Sequence, residues 1–425
     1  MKTLPKDTAE LLGVERDGVN FRHCDSRSLM LERYANPSLK KDDRRDFLSN
    51  ALSRTPNLRK LDAWRQFVLA GLRLTADQLL FGELQARLIL NASGGVLENA
   101  GLCLDRFSGV PFISGSAVKG CARRMALQTL TEQPDNTAKA KLLGNIARAF
   151  GWGDTDWREG RSSKGELYSD FEFACGEGQR WKQVRDLAAG HLRLLLRLKT
   201  NSDKPMWTQL GSYGGDVCFM PSLPWELPAS GDLELDVLTS HHPNYYSDLG
   251  VPVARDIEEP NPVVFPTVSP GLVFAFAVMA GDAELASAAR GWLHQGLATF
   301  GLGGKTSAGY GWFECEQTTA NMRGVLAKQL KQQISALERA NLQPDPVHLE
   351  MLAKLTSADL ADVVNQFSVE PRFWKPDNQT SELAILHFCV VVSPQIWSTA
   401  KANPKGKAFK ALQNLAQKFD RTLPV

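Results

Sequence analysis

Apolar residues recur at helical spacing through Ser28 to Ala35, Arg44 to Leu52 and Leu58 to Leu74, interrupted by solvated charges such as Asp42, Asp43, Arg44 and Arg45. Residues 1–80 therefore read as a helical N-terminal region. From Glu83 the pattern changes, because Leu84, Ala86, Leu88 and Leu90 alternate with Gln85, Arg87 and Ile89 up to a turn at Gly94 and Gly95. That alternation predicts a strand over 84–91. A helix follows from Ser116 to about Leu130, and another over 136–150 ends at Gly151-Trp152-Gly153. The charge-rich stretch 154–211, with one apolar island at Leu192 to Leu198, reads as an insertion. Strands are expected at 216–220 and 272–280, a helix at 283–300 and a strand at 311–316. Beyond these lie helices at Asn321 to Ala340 and Pro346 to Gln366, a strand at Leu383 to Val392, and a basic terminal helix with an apolar stripe of Phe409, Leu412, Leu415, Ala416 and Phe419.

Taken in order, the central elements give β-α-β-β-α-β with insertions, the split ferredoxin-like pattern shared by RNA-recognition modules. The predicted fold class is α+β, with helical N- and C-terminal extensions on an RRM-like core. The aromatic RNP1 signature is missing from the predicted strands, so loops rather than the sheet face would carry any RNA.

Composition narrows this picture only modestly. The chain has 425 residues, 43% hydrophobic and 23% charged, enough for two to three domain-sized units with a real core. No apolar run of about 18 residues occurs, and a start carrying Lys2, Lys6, Asp7 and Glu10 lacks a signal-peptide core, so a cytoplasmic protein with no membrane partner is expected. Seven cysteines stand as singles with no C-x-x-C pair, which indicates neither a disulfide framework nor a zinc site. The net charge of +2 hides an asymmetry: residues 200–316 hold four Lys/Arg against fourteen Asp/Glu. Separate basic and acidic surfaces follow, suited to holding nucleic acid on one side and protein neighbours on another.

The densest chemistry lies in Gly301-Leu-Gly303-Gly304-Lys305-Thr306-Ser307-Ala-Gly-Tyr310-Gly311. Glycines allow positive φ and leave amides uncovered, so the loop could form a nest for phosphate, with Lys305, Thr306 and Ser307 as side-chain donors. A plain glycine-rich turn after a helix stop is the other reading. A nucleotide-binding P-loop is excluded, since Thr299 stands where its first glycine belongs and the helix precedes the loop.

A second cluster sits at Ser114-Gly115-Ser116, where Ser116 is the expected N-cap, Lys119 falls in the first helical turn, and Arg123 and Arg124 follow. Two cations there oppose the macrodipole and each other by a few tenths of a kcal/mol, a penalty that a bound phosphate removes. Solvated cations beside a turn would fit the pattern too. Between the clusters, His241, His242, Tyr245 and Tyr246 offer planes that stack on bases, or a Pro-bounded loop packed by its own tyrosines. No third ligand accompanies the histidines, and Asp154 with Asp156 lacks metal-ligand spacing, so no metal or cofactor is expected.

The pair Gly-Val-Pro-Phe-Ile-Ser-Gly-Ser-Ala-Val-Lys-Gly (109–120) and the loop 301–311 resembles the two halves of the signature of the RAMP superfamily of CRISPR effector proteins. Asp236-Val-Leu-Thr-Ser-His-His, Tyr245-Tyr246 and Pro260-Asn-Pro-Val-Val-Phe look like the RAMP subunit counted sixth in type III-B effector complexes. The resemblance spans about 83–316, and two departures mark it: Met220-Pro221 replaces a usual Asp-Ala, and Ser114 replaces a commoner proline. It implies a RAMP domain over 81–316, with 317–425 a mainly helical extension. It also implies a subunit at the head of the filament, near the guide-RNA (crRNA) 3′ end, contacting neighbouring RAMP subunits and the small helical subunit, with no catalysis of its own. Contact with target RNA is left open. The alternative from another class is a metal-independent endoribonuclease, with His241 or His242 as general base and Lys119 or Lys305 stabilising the phosphorane. A purely architectural adaptor is the third.

Overall fold

The computed structural model describes residues 4–68, 78–153, 155–160, 165, 169–198, 203–240, 242–246, 253, 261–326, 328, 343–366 and 379–424. It contains two compact units, Met1–Gly324 and Val325–Val425.

The first unit is built on a small antiparallel sheet. Its strands are β1 (Leu79–Leu84), β2 (Cys218–Phe219), β3 (Pro224–Glu226), then, past a separate ribbon of β4 (Leu233–Ser240) and β5 (Asn261–Val268), β6 (Val273–Met279) and β7 (Phe313–Glu314). The order across the sheet is β2-β6-β1-β7, with β3 also paired to β6. Leu80, Leu84, Phe274 and Phe276 pack in one core with Val118 and Ala122 of helix α1 (Gly115–Glu132) and Ala289, Leu293 and Leu297 of helix α2 (Ala283–Thr299). The opposite face is covered as well, since Phe81 meets Trp225 at 5.6 Å and Trp225 meets Trp64 at 6.1 Å.

That double cover corrects the predicted position of the first strand. The strand is 79–84, where every residue but Glu83 is buried and no alternation exists, because both faces of the strand are covered. The alternating stretch 85–90 is extended but lies outside the sheet proper. Its role appears at the functional site.

The residues before β1 add to the same core. Phe47, Leu48 and Ala51 of helix Lys41–Leu52 are buried in it. Residues 136–150 form the expected helix, and with Gln179–Leu196 they bring Ile146, Trp181, Val184 and Leu192 into the core. Only the start of the apolar island is buried, for Leu194 and Leu195 face solvent at the helix end.

One buried ion pair ties distant parts of this unit together. Arg27 is 1% exposed and grips Asp232 with both guanidinium nitrogens, one of them at 2.9 Å, while its Nε donates to the Gly109 carbonyl. The fork joins the N-terminal region, the 105–109 turn and the root of β4.

The second unit is helical, with a core of Leu352, Val364, Ile385, Phe388, Trp397, Leu412 and Leu415. The expected strand at Leu383 to Val392 is instead helix Gln379–His387 followed by a wide π-turn over Phe388–Val392. A short, mainly apolar run, buried at Leu383 to Leu386, Phe388 and Cys389, reads alike as strand or helix, so periodicity could not separate them. The terminal stripe forms helix Lys407–Lys418, whose Leu412, Leu415 and Ala416 line the core. Among the described residues no single helix is long and apolar enough to cross a membrane.

Removing one partner of a buried pair leaves an uncompensated charge, at a cost of about 3–5 kcal/mol. Asp232→Ala should therefore lower stability to urea by that amount, whereas Asp43→Ala, at an exposed pair with Arg16, should change it by less than about 1 kcal/mol. Equal midpoints for the two variants would show that the fork is not structural.

Candidate nucleic-acid interface

The glycine loop leaves α2 at Phe300 and is pinned by close backbone contact. The Gly311 amide donates to the Arg87 carbonyl at 2.8 Å and the Gly304 amide to the Ile89 carbonyl at 2.9 Å. Between them, Leu88 exchanges hydrogen bonds with Val268 of β5 at 3.0 and 2.9 Å. The extended segment 87–89 thus has the loop on one edge and the ribbon on the other. A Cβ on Gly303 would lie 2.5 Å from the Ile89 oxygen, and one on Gly311 would collide with the Leu302 oxygen. Both glycines also have positive φ, 93° and 70°.

These contacts correct the expectation of an open amide nest. The amides of Leu302, Gly304, Ala308, Gly309, Tyr310 and Gly311 already donate to backbone carbonyls. The glycines serve close packing first. What the loop presents outward is Lys305, held at φ 56° before a tight turn over Thr306–Ala308, with exposed Ser307 beside it and half-buried Thr306 behind. Among the described residues the Lys305 side chain has no hydrogen-bond or ion-pair partner.

Helix α1 approaches the start of the loop. Its N-cap is Ser114, whose hydroxyl accepts from the Ala117 amide at 3.2 Å, and not Ser116, which is the second helical residue. Lys119 consequently sits in the second turn rather than the first, where the pull of the dipole has weakened. Gly115 lies so close to β2 that a Cβ would collide with the Phe219 carbonyl, which gives this glycine a packing role. Cys121 Sγ lies 3.7 Å from the Gly301 oxygen and the Arg124 guanidinium stands 4.0 Å over the Phe300 ring. Burial raises the Cys121 thiol to about 12, so it stays protonated and inert. Arg123 pairs with Asp170 at 2.5 Å and lies over Phe171, which relieves its repulsion from Lys119. Lys119 itself has no partner among the described residues and is partly exposed.

The ribbon is tied to the loop at its base. Tyr310 donates its hydroxyl to Asp236 at 2.7 Å, and Arg87 bonds Glu234 at 2.7 Å and approaches Asp236 at 3.4 Å. Burial, then the bond to Asp236, raises the proton affinity of the Tyr310 phenol, while the bond to Glu234 raises that of Arg87. Tyr310 is therefore a brace more than a free stacking surface. Neither the Arg87 to Glu234 pair nor the Tyr310 to Asp236 bond was visible in the sequence, where Arg87 read only as the polar half of an alternation.

At the ribbon tip, Tyr245 and Tyr246 end a short helix over Pro243–Tyr246, with Tyr246 76% exposed and the two rings edge to face at 5.2 Å. His242 precedes them and is partly buried. His241 lies outside the described residues, as does Asp154. Ser240 is four residues beyond Asp236, about 13 Å along a strand. The loop cations and the tip aromatics therefore occupy two ends of one ribbon and do not form one compact pocket.

The family model described as the RAMP superfamily matches residues 93–314, which include both glycine-containing segments and the ribbon. The chain belongs to the RAMP superfamily. This RAMP protein is 29% identical over 236 residues to the CRISPR system Cmr subunit Cmr6 of Pyrococcus furiosus, an alignment covering 53% of this chain and 64% of that protein. Among solved structures it overlaps a chain of a type III-B Cmr-beta complex bound to cognate target RNA, at 15% identity and a TM-score of 0.37, over 73% of this chain and 86% of the other. It also overlaps the crystal structure of Cmr6 from Pyrococcus furiosus, at 23% identity and a TM-score of 0.29, over 56% and 97%. Scores this low mark partial overlap only.

The packing role of the glycines has a direct consequence. Gly311→Ala combines a positive φ with a backbone collision and should cost more than about 2 kcal/mol, whereas Gly309→Ala, with open space around it, should cost only the left-handed penalty of about 1–2 kcal/mol. Thermal unfolding of the two variants measures the difference. A milder effect at Gly311 than at Gly309 would contradict the close approach.

Proposed function

We propose that this RAMP protein is a subunit of a type III-B CRISPR effector that holds guide RNA (crRNA) near its 3′ end, in the cytoplasm, as part of antiviral defence, and does not itself cut RNA. In this reading the strand order β7-β1-β6-β2 with two crossing helices is the ferredoxin-like core of an RNA-recognition module, and the order of elements along the chain supports it. The homology to Cmr6 supports the choice of assembly, with other RAMP subunits and the small helical subunit as neighbours.

One observation carries the RNA-holding part. Of the cations that the two glycine-containing segments present, Arg123 and Arg124 are engaged by Asp170 and Phe300, while the side chains of Lys119 and Lys305 have no protein partner among the described residues. Unpaired ammonium groups on a rigid backbone suit RNA phosphates, which fix position without reading sequence. Ser116, Ser307 and Thr306 add hydroxyl donors, and Gly115, Gly303 and Gly304 contribute the close backbone packing that holds them in place. His242, Tyr245 and Tyr246 would meet unpaired bases further along the ribbon, together with His241.

The test is purification with partner subunits followed by quantification of bound short RNA. Lys119→Ala/Lys305→Ala should retain about a tenth of the wild-type RNA or less, with a shallower dependence on salt. Full RNA occupancy in the double variant would overturn the assignment of these lysines. Purified wild-type protein should leave repeat RNA intact, and site-specific cutting that disappears in His241→Ala or His242→Ala would replace the binding reading with the endoribonuclease.

A further inference from the structure

An open cleft of about 800 Å³ lies on the first unit away from the glycine loop, between the N-terminal region and the 105–109 turn. Among the described residues its walls carry Arg54, Lys60 and Arg106 against one acid, Asp25, with the amides of Asn50 and Asn57 between them. Arg27 forms part of the floor but is already committed to Asp232. Arg106 reaches Glu32 only at 3.5 Å, and Lys60 has no carboxylate partner among the described residues. Arg54 donates to the Phe21 carbonyl at 2.6 Å, yet its Nε is buried with no hydrogen-bond partner.

Beside these cations stands Phe107, 75% exposed. It is not on a loose loop. Asp105 accepts from the Phe107 amide at 3.2 Å and from the Ser108 amide at 2.7 Å, Gly109 donates back to the Asp105 carbonyl at 2.7 Å, and the Asn57 amide holds the Ser108 carbonyl at 2.7 Å. Arg27 clamps Gly109 from below. A turn fixed at this many points holds an aromatic ring in water at a hydrophobic cost, which points to a partner for the ring. Lys60 Nζ lies 5.4 Å from the ring centroid, so a cation already sits where a phosphate adjoining a stacked base would need one.

We infer that this cleft takes one unpaired nucleotide of single-stranded RNA, with its base on Phe107 and its phosphate on Lys60 and Arg54. The combination of an exposed aromatic with clustered cations and side-chain amides is the chemistry of single-strand binding. An apolar small molecule is disfavoured by the polar walls. The inference rests on the RNA-holding reading above and extends it to a second, separate contact.

The experiment uses the full chain and a fluorescein-labelled oligouridylate, with 4-thiouridine for photocrosslinking. Phe107→Ala should weaken binding about fivefold to 150-fold, the range found for single base-aromatic stacks, and Phe107→Trp should restore it. Lys60→Gln should flatten the slope of log affinity against log salt by about 0.7, the value for one phosphate on a single strand. Crosslinks should map to the peptide containing Phe107. Because the ring is exposed, the alanine variant should melt with the wild type. If Phe107→Ala and Lys60→Gln bind as wild type while Lys119→Ala/Lys305→Ala is weakened, the cleft inference is overturned and the proposed function stands. The reverse pattern keeps the cleft and removes the glycine-loop lysines from the RNA. A wild-type chain that binds no RNA overturns both. Loss of partner subunits with RNA retained in Phe107→Ala would make the cleft a protein-docking site and also overturn it.

Discussion

The backbone of Arg87 to Ile89 is the narrow place through which the first unit is organised. Two structures claim its two edges: the glycine loop bonds to the carbonyls of Arg87 and Ile89, and β5 bonds to both polar groups of Leu88. A side chain at 303 would strike the Ile89 carbonyl and one at 311 the Leu302 carbonyl across the loop, so glycine is required at both by contact as well as by φ. Because the contact is backbone on backbone, it fixes the loop in direction as well as distance. Lys305 is thereby aimed outward, and the ribbon is set beside it.

Charge placement follows from that frame. Where the frame brings opposite charges together they are consumed in bracing, as with Arg87 on Glu234 and Arg123 on Asp170, and the neutral Tyr310 phenol takes up Asp236 in the same way. Among the described residues the cations without a carboxylate partner include Lys119 and Lys305 on the glycine-containing segments and Lys60, beside the Phe107 ring, in the cleft. The acidic excess of residues 200–316 partly disappears into such braces, Asp232 into the buried fork with Arg27 among them. A net charge of +2 is thus compatible with local basic sites, because a site is defined by unpaired charges and not by totals.

Rigid support distinguishes the two proposed contacts from incidental surface residues. Lys305 stands on a loop with six bonded amides, and Phe107 on a turn held by Asp105, Asn57 and Arg27. Ordering entropy is already spent in both, so binding there costs less than it would on a free loop.

Local pattern alone was enough for helix 115–132, helix 283–299, the strand at 273–279, the loop between Phe300 and Phe313 and the terminal amphipathic helix, because each carries its own signal in periodicity, capping or glycine. The family signature was legible for the same reason, since both halves are short contiguous stretches. Tertiary structure alone decided the rest. Strand 79–84 hid its identity because both faces are covered, and Leu383 to Val392 became helix because its neighbours, not its own sequence, choose between two apolar forms. Ser114 rather than Ser116 caps α1, a choice made by Gly115 fitting against Phe219. Above all, the sequence marked Lys119, Arg123, Arg124 and Lys305 as candidates without showing which of them are paired. Which of them have partners depends on Asp170 and Phe300, residues distant along the chain, and only folding brings those within reach.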